Sequence, residues 1–173
     1  MPVPSREQAS AVLAEGHRAT RELIARLAPD QLERPSTMGG GDWSAKDLVG
    51  HLANWEELSL RALEEWRRGE RPHVEGLFAS DEAVDRENAE AIRRKAGLSA
   101  ARVLREADET HRTLAAAIEA VSDEEWTAKA SYATERRRTL GALLGSITGA
   151  PQRPFGHGFA HPPDLEAYVS SLR

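Results

Sequence analysis

His157 and His161 stand four residues apart, and the chain carries four more histidines, at positions 17, 51, 73 and 111, but no cysteine. On a helix, residues at i and i+4 share one face at about 5–6 Å, so two imidazoles so spaced can both reach one cation at about 2.0–2.1 Å. The lack of cysteine excludes disulfides, thiolate zinc sites, iron–sulfur clusters and a nucleophilic thiol. Any metal must then sit on His, Asp or Glu. The third ligand has to come from another element, and His51 is the best-placed candidate. It lies three residues after Leu48 and four before Trp55 on an apolar stripe, which turns it inward. Three imidazoles leave at least one coordination position open, as catalytic metal sites do and structural sites avoid. On zinc, water in that position ionises near pH 7; imidazole ligands also admit nickel, iron or copper.

The elements that must position these groups read as helices. Ser5 with Gln8 forms a capping box, and Val12, Leu13, Thr20, Leu23, Ile24 and Leu27 follow at helical spacing up to Pro29. The turn formers at 35–42 lead to Ser44, whose partner Asp47 gives a carboxylate variant of the box. A second helix is expected from there to Gly69, with Leu48, Leu52, Trp55, Ser59, Ala62 and Trp66 facing inward. Residues 80–121 are helical by pattern, with a break at Gly97-Leu98-Ser99, and Leu104, Ala107, His111, Leu114 and Ile118 face inward. Ser122 and Glu125 open a short turn carrying Trp126, and Leu140, Leu143, Leu144 and Ile147 form a further helix that Gly149-Ala150-Pro151 must end or bend. Beyond Phe155, the spacing of His157, His161, Leu165, Tyr168 and Leu172 places both histidines on a core-facing stripe if that segment is helical. No run alternates as a half-buried strand would. The expectation is one all-α domain over residues 1–173, an up-down four-helix bundle with short extra turns.

Composition narrows the partners. The net charge is −5, with acids and bases interspersed, which argues against a phosphate-tracking surface and so against nucleic acid. Arg136-Arg137-Arg138 is too short for a binding patch and reads as a solvated loop. No apolar run is long enough to cross a membrane, and no leader pattern opens the chain, so a cytoplasmic protein is expected. His17 and His111 lack a partner at ligand spacing and read as hydrogen-bonded core or pocket-lining residues; His73, beside Pro72, reads as exposed. Trp66 and Phe78 are taken as exposed apolar positions marking a homodimer contact.

The run Gly41-Asp42-Trp43-Ser44-Ala45-Lys46-Asp47-Leu48-Val49-Gly50-His51-Leu52-Ala53-Asn54-Trp55-Glu56 resembles the signature of the DinB/YfiT-like superfamily, shared by the N-terminal domain of mycothiol-dependent maleylpyruvate isomerases. There a Trp-Ser opens the second helix, a metal histidine follows, and Trp-Glu comes four residues later. The tail Phe155-Gly156-His157-Gly158-Phe159-Ala160-His161-Pro162-Pro163-Asp164-Leu165 resembles the closing helix, whose two histidines complete the triad. The resemblance implies a DinB-like bundle, one divalent ion (zinc, nickel or iron) on His51, His157 and His161, and a small-molecule substrate or low-molecular-weight thiol at the open position. Trp55, His17 and His111 would line the cavity, and Glu56 is a weak base candidate expected to be solvated. The reaction would be a thiol-dependent transfer or isomerisation, or a hydrolysis; the alternative is a non-catalytic metal- or ligand-binding bundle. Two features depart from the pattern. Pro162-Pro163 disfavours helical geometry at His161, which leaves either a ligand helix broken there or one turn over 157–161 that ends as Pro163-Asp164-Leu165 starts another helix; and Gly149-Ala150-Pro151-Gln152-Arg153-Pro154 is expected to reshape the pocket wall.

Overall fold

Ser5 caps the first helix, α1 (Arg6–Ile24), in the computed structural model of the chain, which describes residues 3–38, 41–132 and 138–173. The Ser5 hydroxyl accepts from the Gln8 amide at 3.2 Å, and Gln8 Oε1 accepts from the Ser5 amide at 2.9 Å. The expected capping box is thus formed in both directions. A short helix, α2 (Pro29–Leu32), with proline at its start, takes up the chain where α1 must stop. The second box is present at α3 (Ala45–Arg67), where Asp47 Oδ2 accepts from the Ser44 amide at 2.9 Å. Past its end Gly69 adopts φ 73°, the left-handed conformation that glycine supplies at low cost after a helix.

A short α4 (Val74–Leu77) precedes α5 (Asp81–Lys95) and α6 (Ala100–Glu119). The break between the last two falls where the sequence placed it, with Ser99 accepting from the Arg102 amide as the cap of α6. Then come α7 (Asp123–Thr127), α8 (Leu140–Ile147), a 3-10 turn (His157–Phe159) and α9 (Pro162–Ser171). Among the described residues there is no β-strand, only two isolated bridges, Lys129–Thr139 and Ala150–Arg153. No helix is long and apolar enough to cross a membrane.

The longest helix, α3, is the hub: α6, α5 and α8 pack against it, while α1 packs on α6, α9 and the 3-10 turn. Two apolar clusters result. One joins Ala9 and Leu13 of α1, Trp55, Leu58, Ala62 and Trp66 of α3, Leu114 and Ile118 of α6, and α7–α8. The other joins Leu23 and Ile24, Ala45, Leu48, Val49 and Ala53, Ala100, Val103 and Ala107, and Leu165, Tyr168 and Val169 of α9. Polar side chains occupy the seam between them: His17 and Thr20 on α1, Glu56 on α3 and His111 on α6 fall between members of one cluster and of the other along each helix.

Trp66, read above both as the end of the inward stripe and as an exposed contact, is buried and meets Tyr132 edge-on at 5.7 Å, so the stripe reading holds and the exposed one does not; a large indole contributes most to stability inside. Phe78 is exposed, as expected. Of the basic cluster, Arg136 and Arg137 lie outside the described residues.

Candidate metal centre

His51 projects from the second turn of α3 and is 5% exposed. Its Nε2 lies 3.0 Å from Nε2 of His157. His161 completes the group: one ligand nitrogen from each of the three lies within 4.8 Å of the others. Ring centroids are 4.8 Å apart for His51–His157 and 5.4 Å for each pair with His161. The sequence-expected trio is therefore brought together.

The route is not the single helix that the four-residue spacing suggests. His157 opens the 3-10 turn, and His161 is the residue before α9, with φ −108° and ψ −15° and with Pro162 at the first helical position. His161 keeps a right-handed helical conformation despite the proline after it, contrary to expectation; Pro162, which lacks an amide hydrogen, takes the first position of a new helix, where that donor is not needed. Backbone contacts fix the turn in place. The His157 amide donates to Thr148 O at 2.9 Å, and Phe155, buried at φ 61°, donates to Gly145 O. Gly158 lies against Gly16 of α1: a Cβ on Gly158 would stand 2.9 Å from the Gly16 carbonyl carbon. Thr20 Oγ1 donates to Gly158 O at 3.3 Å. The lone glycine inside the first helical pattern was the one sequence sign of this contact.

Burial, followed by the fields of His157 and His161, pushes the pKa of His51 down to about 2. Burial and His161 push His157 down to about 3, and burial lowers His161 although the Asp164 carboxylate, 3.9 Å from its Nδ1, acts the other way. All three rings are thus neutral near pH 7 and offer lone pairs. Two ligands at about 2.05 Å in tetrahedral array are about 3.3 Å apart, so the 3.0 Å pair already sits near the required separation. Neutral nitrogen donors at this spacing fit zinc, nickel or iron. One detail is incomplete. Asn88 approaches His51 closely enough to favour its charged form, yet not at hydrogen-bonding geometry, so the buried Nδ1 has no partner.

Trp55 stands beside the group, edge-on to His157 at 6.3 Å, and its Nε1 donates to Asn88 Oδ1 at 3.0 Å. Trp43 flanks His51 at 4.9 Å. A cavity reaches His157 from the seam between the clusters, lined also by Leu13, His17, Thr20, Arg21 and Glu56. Its room for water centres, about 40 Å³, holds a few waters.

His17 lines that cavity and His111 stacks on it, with centroids 3.9 Å apart and planes 4° from parallel. Trp55 stands at the trio and is not among the cavity's lining residues. Glu56 is not solvated as expected. Its side chain is 15% exposed and its Oε1 lies 2.9 Å from His111 Nδ1, because α6 packs over that face of α3. His73, one residue before α4, is exposed.

Residues 12–149 match the DinB superfamily, a span that includes His17, His51 and His111 and ends before His157. No curated protein matches the chain. Among solved structures, an uncharacterised protein of Escherichia coli UTI89 is similar at 14% identity and TM-score 0.76, over 98% of this chain and 96% of that one. A protein of Streptococcus pneumoniae is similar at 14% identity and TM-score 0.73, over 98% and 93%. The colibactin self-resistance protein ClbS, crystallised in complex with double-stranded DNA, is similar at 17% identity and TM-score 0.71, over 96% and 97%. That complex corrects the exclusion of nucleic acid drawn above from charge balance: a protein of this fold is crystallised with double-stranded DNA, and a whole-chain charge sum does not report local contacts to phosphate. With the matched span covering most of the chain, the protein belongs to the DinB superfamily.

Proposed function

We propose that the protein is a metal-dependent enzyme in which His51, His157 and His161 hold one divalent cation and leave a position open to a small acidic ligand. The observation that supports this most is the convergence of three neutral imidazoles with no fourth His, Asp or Glu in the group among the described residues. A structural site would be closed by four protein ligands. When bound, the cation would supply Lewis-acid assistance to the ionisation of a water or a low-molecular-weight thiol. The chain's part is to present the lone pairs, to exclude bulk water behind Trp55 and Trp43, and to admit the substrate beside His157. A thiol-dependent transfer or isomerisation and a hydrolysis both fit this arrangement.

Cobalt(II) substitution tests the reading. Near-stoichiometric cobalt whose visible spectrum changes on adding azide supports an open, exchangeable position. Cobalt whose spectrum ignores azide supports a sealed structural site and overturns the enzymatic reading.

The DNA complex of ClbS raises a second reading, in which this member also works at DNA. Retardation of a double-stranded oligonucleotide that weakens steeply with salt would support it; no retardation at low salt would remove it.

A further inference from the structure

Nδ1 of His51 is a buried nitrogen with no hydrogen-bond partner among the described residues. The other ring nitrogen, Nε2, faces His157 at 3.0 Å and is the atom that the ring offers to an ion. A neutral imidazole carries one proton, so a lone pair on Nε2 puts that proton on Nδ1, where an unpaired buried N–H is costly. The aromatic neighbours do not relieve it. Trp43 and Trp55 flank the imidazole, and an indole nitrogen only donates.

The helix packed along this stretch of α3 brings an acceptor. Ala91 is the one residue of α5 that is fully buried, and polar contacts tie this helix to α3. Asn54 Nδ2 donates to Glu87 Oε1 at 3.1 Å, and Arg94 donates to Asn54 Oδ1 at 2.8 Å and to Glu87 Oε1 at 3.0 Å. Lys95 pairs with Glu57 at 2.9 Å, and its stem lies against Gly50. Asn88 follows Glu87 directly and is placed by the same contacts. Its Oδ1 accepts from Nε1 of Trp55, one helical turn beyond His51, at 3.0 Å. Because the indole only donates, the amide atom turned to α3 is the oxygen, and a carbonyl oxygen has a second lone pair to offer. The same amide approaches the His51 ring closely enough to favour its protonated form, just short of hydrogen-bonding geometry.

We propose that Asn88 is a positioning residue of the metal centre: its Oδ1, anchored by Trp55 Nε1–H, accepts the Nδ1–H of His51 and so keeps the Nε2 lone pair free for the ion. A small rotation of the imidazole or of the amide closes this bond. Which nitrogen of a histidine carries the proton is set by the bond that the other makes, so one amide fixes both the tautomer and the ring orientation. The inference rests on the metal reading above. A purely structural Asn88 would serve Trp55 alone, and its loss would lower stability without touching the His51 proton.

The test uses full-length protein labelled with 15N at histidine, metal-free and zinc-loaded, with the ring protons read by NMR and zinc affinity read by chelator competition. In metal-free wild type the His51 proton is expected on Nδ1, and in the zinc-loaded protein it should exchange slowly with solvent. Asn88→Leu keeps the volume and loses the acceptor. It should move the metal-free ring toward the Nε2–H form, speed Nδ1–H exchange in the loaded protein and weaken zinc binding about 10–100-fold. Asn88→Asp, which keeps an acceptor oxygen, should restore the Nδ1–H signal and the affinity, and Asp85→Asn, exposed on α5, should match wild type. Failure of wild type to take up zinc overturns the metal reading and this inference together. Zinc uptake with the metal-free His51 proton on Nε2 in wild type overturns the inference and leaves the metal reading standing, and that result needs no variant to fold. Asn88→Leu that matches wild type in proton exchange and affinity, whatever its melting temperature, does the same.

Discussion

Nε2 of His51 and Nε2 of His157 lie 3.0 Å apart, although the two residues are 106 positions apart in the chain. Their supports differ in kind. His51 rides on a long regular helix with a complete cap, while His157 depends on a 3-10 turn pressed against Gly16 and tied to Thr148. Changes to the turn should therefore act on the site before they act on the fold.

Gly158→Ala places a methyl 2.9 Å from the Gly16 carbonyl carbon, backbone that cannot swing aside. The turn must shift, at a cost of about 1–3 kcal/mol. Weaker metal binding, with a modest fall in melting temperature, is the expected outcome from calorimetry and thermal denaturation. Gly76→Ala, which meets nothing within 4 Å, should leave both unchanged. Equal metal affinity in Gly158→Ala and wild type would show that the Gly16–Gly158 contact does not set the ligand position.

Acid should destabilise the metal-free protein. The pKa values of His51, His157 and His17 fall to about 2, 3 and 4 from the ordinary 6.5. Below about pH 6.5 the unfolded chain binds protons at these groups and the folded chain does not, so stability falls as the pH drops. Each contributes a slope of about 1.4 kcal/mol per pH unit inside its window and nothing above it. The urea midpoint of apo-protein should be lower at about pH 5.5 than at about pH 7.5, and His51→Gln should flatten the difference. A midpoint that holds steady or rises on acidification would contradict the neutral trio.

The helices were legible because their signals are local. Ser5–Gln8, Ser44–Asp47 and Ser122–Glu125 mark starts by side chains three residues from their targets, and the stripe through Leu48, His51 and Trp55 turns His51 inward whatever packs on it. The trio was legible from residue type, spacing and resemblance. Its geometry was legible in part: Pro162-Pro163 marks the break and the helix start after it, whereas the position of the turn depends on its packing against Gly16 and its bond to Thr148, which have no local signal. Glu56 was misread as solvated because its burial depends on α6, and its partner His111 is 55 residues away. The stack of His17 on His111 has no sequence signature for the same reason.

Stability and metal binding should separate at the core. Leu114 on α6 is fully buried in the cluster that includes Trp55 and Trp126. Leu114→Ala should cost about 2–5 kcal/mol, read by urea denaturation, with near-stoichiometric metal retained at temperatures where the variant stays folded. Loss of metal from a folded Leu114→Ala would tie the site to core packing more tightly than the separate clusters suggest.

Asp164 stands 3.9 Å from Nδ1 of His161, at ion-pair distance and beyond a hydrogen bond, near enough for its charge to favour and orient a ligand imidazole. Outer partners of this kind are worth about 10–100-fold in metal affinity. Asp164→Asn should weaken binding within that range while leaving the helical circular-dichroism signal intact. An unchanged dissociation constant would leave Asp164 only its place as the acidic residue in the first turn of α9.

Elemental analysis by mass spectrometry of purified wild-type protein, beside folded His51→Ala, His157→Ala and His161→Ala, tests the central claim most directly. The account predicts about one divalent ion per chain in wild type and loss in all three variants. Wild-type protein that holds no metal, even after incubation with zinc or nickel, or variants that retain it, would contradict the account.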